Sequence, residues 1–216
     1  MPDHLPFDLA EVDRLLSTTR AVRRRLDLER PVDPAVILDC IRLAVQAPTG
    51  SNEQGWRWMV VTDREKRAAI ADAYNAAGAA YLKQAAASAE DPQTRRVYES
   101  AVALTDVLAA VPVHVIPCIQ GRLDGAPNLL AASAYGSILP AAWSFLLALR
   151  SRGLGSVWTT LHLFHEQQIA ELLGIPDDVT QVALFPVAHT IGTDFKPATR
   201  PPVAGITFWD EWGATR

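Results

Sequence analysis

The densest group of chemically capable side chains is a run of arginines, four within the six residues 20–25. The chain around them is acidic overall, with a formal net charge of −4 at pH 7. Guanidinium groups bind phosphate oxygens through paired N–H donors, so Arg20, Arg23 and Arg24 are candidate phosphate ligands. A solvated surface run is the alternative interpretation, and the residues alone leave both open.

Three weaker candidates carry hydroxyl, amide or cationic groups. The loop 48–55 reads Pro-Thr-Gly-Ser-Asn-Glu-Gln-Gly, a composition that suits a polar heterocycle but is also typical of ordinary loops. Trp158-Thr159-Thr160 places two hydroxyls at a predicted strand end, where they can hydrogen-bond a ligand. Lys196 and Arg200 lie in an irregular tail, where most cations are simply solvated.

Several catalytic patterns are missing from the sequence. It contains neither the GxSxG pattern of hydrolases nor the GxxxxGK[ST] loop of nucleotide triphosphatases. His162-x-x-His165 lacks the spacing of a zinc-binding HExxH helix and predicts a surface pair. Cys40 falls on an apolar helical face and is predicted to be a core thiol. We therefore expect no metal site and no evident side-chain catalyst.

The elements that must position these residues form a helix-rich pattern with three or four dispersed strands. A helix is predicted over 34–46 because Asp33 and Pro34 form a typical helix start. Thr62-x-x-Glu65 fits a capping box and predicts a helix that continues to about residue 87. Aromatic and β-branched runs predict strands over 56–61, 111–116, 155–161 and 179–188.

One apolar segment needs a separate interpretation. Residues 129–149 carry no charge and approach the length of a membrane span. Alanine, serine, Gly136 and Pro140 dilute their hydrophobicity, so we expect a helix over 128–151 that is buried in a soluble protein or lies at a subunit interface. A membrane span is the disfavoured alternative.

Composition narrows the class of protein. The 216 residues are 49% hydrophobic and 20% charged, which predicts one globular domain over 1–216. The acidic charge disfavours a nucleic-acid partner, and two cysteines cannot build a disulfide framework. The N-terminus lacks the basic and apolar regions of a secretory signal, so we expect a cytoplasmic protein.

Four motifs occur in an order that resembles the FMN-dependent nitroreductase family. They are Arg20-Ala21-Val22-Arg23, the stretch 47–56, the stretch Gly153-Leu154-Gly155 through Thr160, and Phe185-Pro186-Val187-Ala188 followed by Arg200. The resemblance covers roughly residues 15–205, and the stretch 47–56 is its most specific part. Ala21 and Gly55 depart from the usual serine and proline.

The resemblance implies an α+β fold, with a small, mainly antiparallel sheet surrounded by helices, in an intertwined homodimer with two FMN sites at its interface. It implies that Arg20, Arg23 or Arg24, and Arg200 contact the phosphate and ribityl chain. Four loop residues would approach the same flavin from the partner subunit, namely Pro48, Thr49, Gly50 and Asn52. The segment Trp158, Thr159, Thr160 and Leu161 would lie along the isoalloxazine ring, near its N5 edge.

The implied activity is ping-pong transfer of a hydride from NAD(P)H through flavin N5 to a nitroaromatic, a quinone or a related small acceptor. Substrate protons are then expected from water. Two alternatives stay open at this point. One is a related flavin enzyme of the dehalogenating or flavin-fragmenting type, and the other is a protein that binds or stores a flavin or deazaflavin on the same scaffold.

Overall fold

The computed structural model describes residues 6–216, which form two compact units. The smaller unit comprises the chain up to Thr19 together with Asp194–Arg216. It contains helix α1 (Leu9–Thr18), whose first turn is capped by the Asp8 carboxylate, and a 3₁₀ turn at Val203–Ile206. The larger unit is Arg20–Thr193. That residues 1–216 form a single domain stays a prediction.

The larger unit holds all six strands of the described chain and five helices. In chain order they are β1 (Leu26–Asp27), α2 (Pro34–Ala44), β2 (Trp56–Val61), α3 (Arg64–Ser88), α4 (Pro92–Val107), β3 (Val113–Gln120), α5 (Asn128–Ser151), β4 (Leu154–Gly155), α6 (Glu166–Leu173), β5 (Val179–Gln181) and β6 (Phe185–Thr190). Short 3₁₀ helices cover Gly50–Asn52, Leu108–Ala110 and Leu161–His165.

Strand β3 lies at the centre of a six-stranded sheet. It pairs with β2 along one edge and with both β5 and β6 along the other, while β6 also pairs with β1 and β4. Every one of these strand ladders is antiparallel. The predicted α+β fold with a mainly antiparallel sheet is confirmed.

The strand predicted over 179–188 is wrong as a single strand, because it is divided into β5 and β6. The interruption lies opposite Pro117, whose carbonyl accepts a hydrogen bond from Val182 N at 3.0 Å. In an antiparallel ladder the N–H and C=O of one residue point to the same side, and a proline has no N–H to offer there. The ladder is therefore broken where β3 cannot donate, and the residues between β5 and β6 find other partners.

Helices cover both faces of the sheet because side chains along β3 alternate between them. On one face, α2 and α5 pack on Val113 and Val115 of β3 and on Phe185 of β6. The Phe145 ring of α5 stacks on Phe185 with a centroid distance of 6.0 Å. On the other face, His114 Nε2 lies 2.9 Å from the Leu108 carbonyl at the end of α4.

Helix starts follow the sequence signals with one correction. Asp33 accepts a hydrogen bond from Ala35 N and Pro34 begins α2, as predicted. Helix α3 is instead capped by Asp63, whose carboxylate accepts from Lys66 N at 2.9 Å, so the predicted Thr62 cap is off by one residue. A carboxylate caps an N-terminus at least as well as a threonine hydroxyl does.

Helix α5 is divided into two environments. Its C-terminal half is buried on the sheet, with Ala142, Phe145 and Leu149 in the core. Its N-terminal half leaves Leu129 and Leu130 exposed, by 79% and 58%. This helix has the length and apolar composition to cross a membrane, but core helices of soluble proteins meet the same criteria. The packing of its C-terminal half against the sheet agrees with the predicted core helix.

The predicted surface pair of histidines is wrong. His162 is fully buried, and neither of its ring nitrogens has a hydrogen-bond partner in the described residues. Burial lowers the pKa of His162 to about 3, and the neighbouring His114 contributes to the shift. Burial also lowers the pKa of His114 to about 4. Both rings are therefore neutral in the folded protein at ordinary pH, and no metal-binding group occurs among the described residues.

These two histidines predict a loss of stability in acid. Below pH 6.5 the unfolded chain binds protons that the buried rings cannot accept, so the free energy of unfolding falls by roughly 1.4 kcal/mol per pH unit and histidine, down to about pH 4. The free energy of unfolding, measured with urea between pH 7 and pH 4.5, should depend less on pH in His162→Leu than in the wild type. The difference should correspond to about one proton fewer taken up on unfolding.

Leu163→Ala, in the same 3₁₀ turn, controls for lost packing and should lower stability equally across this range. An unchanged pH dependence in His162→Leu would show that His162 takes up a proton in the folded state.

Candidate functional site

The segment that follows β4 is anchored to the sheet through its backbone. Thr159 N donates to the Leu184 carbonyl at 3.2 Å, and Leu184 N donates to the Thr159 carbonyl at 2.8 Å. The Trp158 ring packs against Phe185 with a centroid distance of 5.1 Å. Thr160 is exposed, and Leu161 begins the 3₁₀ turn that follows. Trp158 and Thr159, two of the four residues predicted to lie along the isoalloxazine ring, are therefore fixed to the core.

Two residues of helix α3, one turn apart, pack against the same segment. The Tyr74 and Thr159 hydroxyl oxygens are 2.9 Å apart, which is hydrogen-bond distance. A Cβ atom added to Gly78 would lie 2.2 Å from Leu161 Cδ1, so a larger residue there would displace the Leu161 side chain. Residues four apart share a helical face, and this face of α3 sets the height of the Thr159–Leu161 segment above the sheet.

Arg23 is half-buried and reaches helix α4. Its Nη1 donates to Ser100 Oγ of α4 at 3.1 Å, and the guanidinium lies near enough to Tyr74 for each group to shift the other's pKa. Burial lowers the pKa of Arg23, and among the described residues no carboxylate forms a salt bridge with it. A guanidinium has five donors, so this half-buried cation retains the capacity to bind an electron-rich ligand.

The other arginines of the run take different directions. Arg25 Nε donates to the Ile191 carbonyl at 2.7 Å, just beyond the end of β6. Arg20 and Arg24 lie at the surface. The run is therefore neither a uniformly solvated stretch nor a single cluster. Arg23 is half-buried, Arg25 is bonded to the backbone near β6, and the other two arginines lie at the surface.

The predicted loop is a strained turn seated on α5. Gly50 N donates to Ser137 Oγ at 2.9 Å, and a Cβ atom at Gly50 would lie 2.8 Å from Ser133 Oγ. Thr49 Oγ1 accepts from the backbone N–H of Gln54 at 3.2 Å. Asn52 has a φ of 55°, and Ser51 and Gln54 are also left-handed. Such conformations cost roughly 1–3 kcal/mol each and concentrate at functional sites.

The structure brings the predicted residues together in two groups. Thr159 is bonded to Tyr74 of α3 and Arg23 to Ser100 of the neighbouring α4, whereas Pro48 is exposed and the loop that follows it lies on α5. In the part of the chain that the structure describes, no hydrogen bond joins residues 48–52 to residues 158–161. Arg200 belongs to the smaller unit, where it is exposed and donates to the Thr199 carbonyl at 3.3 Å.

Sequence reasoning missed Tyr74 and Ser100. Tyr74, Gly78 and Leu82 recur every four residues within an alanine-rich helix, and this stripe is typical of ordinary core packing. The tyrosine itself is the feature of the sequence that could have identified this position, because a buried phenol needs a hydrogen-bond partner. Nothing in the sequence identifies that partner as Thr159, since 85 residues separate the two along the chain.

Comparison with known proteins points to one family. The model of the Nitroreductase family matches residues 16–189. A curated relative from Thermus thermophilus, named NADH dehydrogenase, is 28% identical over 204 residues, which cover 88% of this chain and 91% of the relative.

Two solved structures show the same fold. An FMN- and NADPH-dependent nitroreductase from Sphingopyxis sp. strain HMH superposes with a TM-score of 0.68 at 19% identity, covering 95% of this chain and all of the other. Oxidized iodotyrosine deiodinase bound to FMN and 3-iodo-L-tyrosine superposes with a TM-score of 0.67 at 20% identity, covering 88% of this chain and 95% of the other.

Proposed function

We propose that this chain, which belongs to the Nitroreductase family, is an FMN-dependent NAD(P)H oxidoreductase that reduces a nitroaromatic, a quinone or a related small acceptor. The observation that carries the proposal is the hydrogen bond between Tyr74 and Thr159, which holds Thr159 next to the exposed Thr160, together with the half-buried Arg23 guanidinium on Ser100. The FMN, NADH and NADPH in the names of similar proteins support the choice of cofactor and reductant.

The residues present fit FMN by the chemistry of their donors. Arg23 is half-buried and donates to Ser100 alone among the described residues, and Arg20, Arg24 and Arg200 offer further cations for a phosphate. Thr159 and Thr160 add hydroxyls, and Trp158, Leu161 and the Pro48-Thr49-Gly50 and Asn52 loop add apolar surface and backbone donors. When bound, FMN supplies hydride transfer between a nicotinamide and an organic acceptor.

The chain's own contribution is binding, orientation and electrostatics. The Arg23 cation stabilises negative charge on a ligand next to it, and more effectively than in water because the guanidinium is partly desolvated. Trp158 and Phe185 exclude water from the sheet side of the segment. His162 and His114 are neutral and buried, so substrate protons are taken from water.

Cysteine chemistry does not compete with this mechanism. Cys118 and Cys40 are both buried, and burial raises the pKa of the Cys118 thiol to about 12. A thiol is nucleophilic only as the thiolate, so both cysteines are inert core residues.

The proposed assembly is a homodimer in the cytoplasm. Helix α5 exposes Leu129 and Leu130 in its N-terminal half and Trp143 farther along, an apolar surface that a second copy would cover. The 48–52 loop lies on the same helix, apart from the Arg23 and Thr159 group. A dimer through α5 would let the loop of one copy complete the site of the other, as the family resemblance implies.

The cofactor is tested by the absorbance of the purified protein. We expect a yellow protein with about one noncovalent FMN per subunit, released by heating, whose visible absorbance is bleached anaerobically by NADH or NADPH. A colourless protein that fails to bind added FMN would contradict the proposal. FMN binding without bleaching by either nucleotide would favour a flavin-storage protein instead.

Arg200 is predicted to bind the phosphate of FMN. A charge-assisted hydrogen bond contributes roughly 1.5–3 kcal/mol, so Arg200→Ala should weaken FMN binding by about 10- to 150-fold. Riboflavin lacks the phosphate, and its affinity should hardly change. Fluorescence titration measures the affinity for both ligands. Lys196→Ala, which removes another cation from the same tail, is the matched control. An equal loss for FMN and riboflavin would mean that Arg200 supports the ring or the fold.

A further inference from the structure

We propose that Tyr74 is a positioning residue that sets the rotamer of Thr159 and the direction in which its hydroxyl donates a hydrogen bond. The inference deepens the proposed function and rests on it in one respect, namely that Thr159 faces FMN. It concerns a residue on α3 that none of the sequence motifs includes.

Thr159 has one remaining degree of freedom. Its backbone N–H and carbonyl are both committed to Leu184, so the main chain is fixed at this residue. The threonine side chain can still adopt different χ1 rotamers, since its hydroxyl and methyl groups are similar in size. The hydrogen bond to Tyr74, at 2.9 Å, selects one of them.

Tyr74 is held firmly enough to impose that choice. Only 2% of Tyr74 is exposed to solvent, and it is among the largest buried side chains of the described residues. Among the described residues, Thr159 is the hydrogen-bond partner of its phenol. A phenol has a single rotatable O–H at the end of a rigid ring, so its position follows from the packing of α3.

The direction of the hydrogen bond follows from acidity. A phenol is a stronger acid than an aliphatic alcohol, which favours Tyr74 as the donor. Burial raises the pKa of Tyr74, so the phenol keeps its proton at neutral pH. Thr159 Oγ1 therefore accepts from Tyr74, and its own proton is left to donate to a ligand.

The alternative is that Tyr74 only fills the core and that its hydroxyl is incidental. Tyr74→Phe separates the two, since it removes one oxygen and keeps the ring. Tyr81→Phe is the matched control, because Tyr81 lies on the same helix and is 56% exposed. Circular dichroism and thermal melting establish that each variant folds.

The first measurement uses the protein without flavin. Three-bond couplings to the Thr159 methyl group report its χ1 rotamer by NMR. We expect a single rotamer in the wild type and in Tyr81→Phe, and averaging between rotamers in Tyr74→Phe. A single, unchanged rotamer in Tyr74→Phe would overturn the inference.

The second measurement is a double-mutant cycle on FMN affinity with Tyr74→Phe, Thr159→Val and the double variant. A neutral hydrogen bond contributes about 1 kcal/mol, so each single variant should lose about 3- to 10-fold in affinity. If Tyr74 acts through Thr159, the double variant loses no more than Thr159→Val alone. Losses that multiply would show that Tyr74 acts independently and would overturn the inference.

The two measurements also separate this inference from the proposed function. A wild-type protein that binds no FMN would refute the flavin proposal, and the rotamer of Thr159 in the flavin-free protein would still decide the assignment of Tyr74.

Discussion

Two backbone hydrogen bonds between Thr159 and Leu184 join the candidate site to the core of the molecule. Leu184 lies in the gap between β5 and β6, opposite the point where Pro117 interrupts the ladder of β3. Phe185, the next residue, pairs with Val115 of β3. Backbone groups of successive residues in a strand point to opposite sides, so the N–H and carbonyl of Leu184 face the segment after β4, and main-chain atoms hold the site segment.

Other features of the site depend on that anchor. With the main chain of Thr159 fixed, Tyr74 and Gly78 of α3 can meet the side chains of Thr159 and Leu161 at defined positions. Arg23 donates to Ser100 on the neighbouring helix α4. Among the described residues Arg23 has no carboxylate partner, so its partial burial costs desolvation energy, and a bound electron-rich ligand would offset that cost. The burial of Arg23 therefore lowers the stability of the folded protein at the place where we propose that a ligand binds.

The sequence predicts those features that depend on local interactions. The Asp33-Pro34 start of α2 and the strand 56–61 follow from residues that are adjacent in the chain, and the α+β fold follows from the resemblance to the nitroreductases. The division of the strand 179–188 was not predictable in this way, because it is caused by Pro117, more than 60 residues away. The burial of His162 arises in the same way, from elements that are distant in sequence and pack around it.

The site is predictable only in part for the same reason. The types of residue at 20–25, 48–52 and 158–161 predict a polar ligand with a phosphate, and the match to the Nitroreductase family covers all three segments. Which arginine turns inward depends on Ser100 and Tyr74, which lie on helices that no local pattern connects to the run. The roles of the individual residues as flavin ligands stay predictions.

The central claim is that one flavin site combines Arg23 and Thr159 of one copy with the 48–52 loop of another. Subunit complementation tests it directly, using Arg23→Ala and Gly50→Val variants that each bind FMN poorly. When the two are dissociated, mixed in equal amounts and reassociated, about one site in four should have both halves intact and recover wild-type FMN affinity. Mixed dimers that recover no site would show that the loop and Arg23 do not meet across an interface.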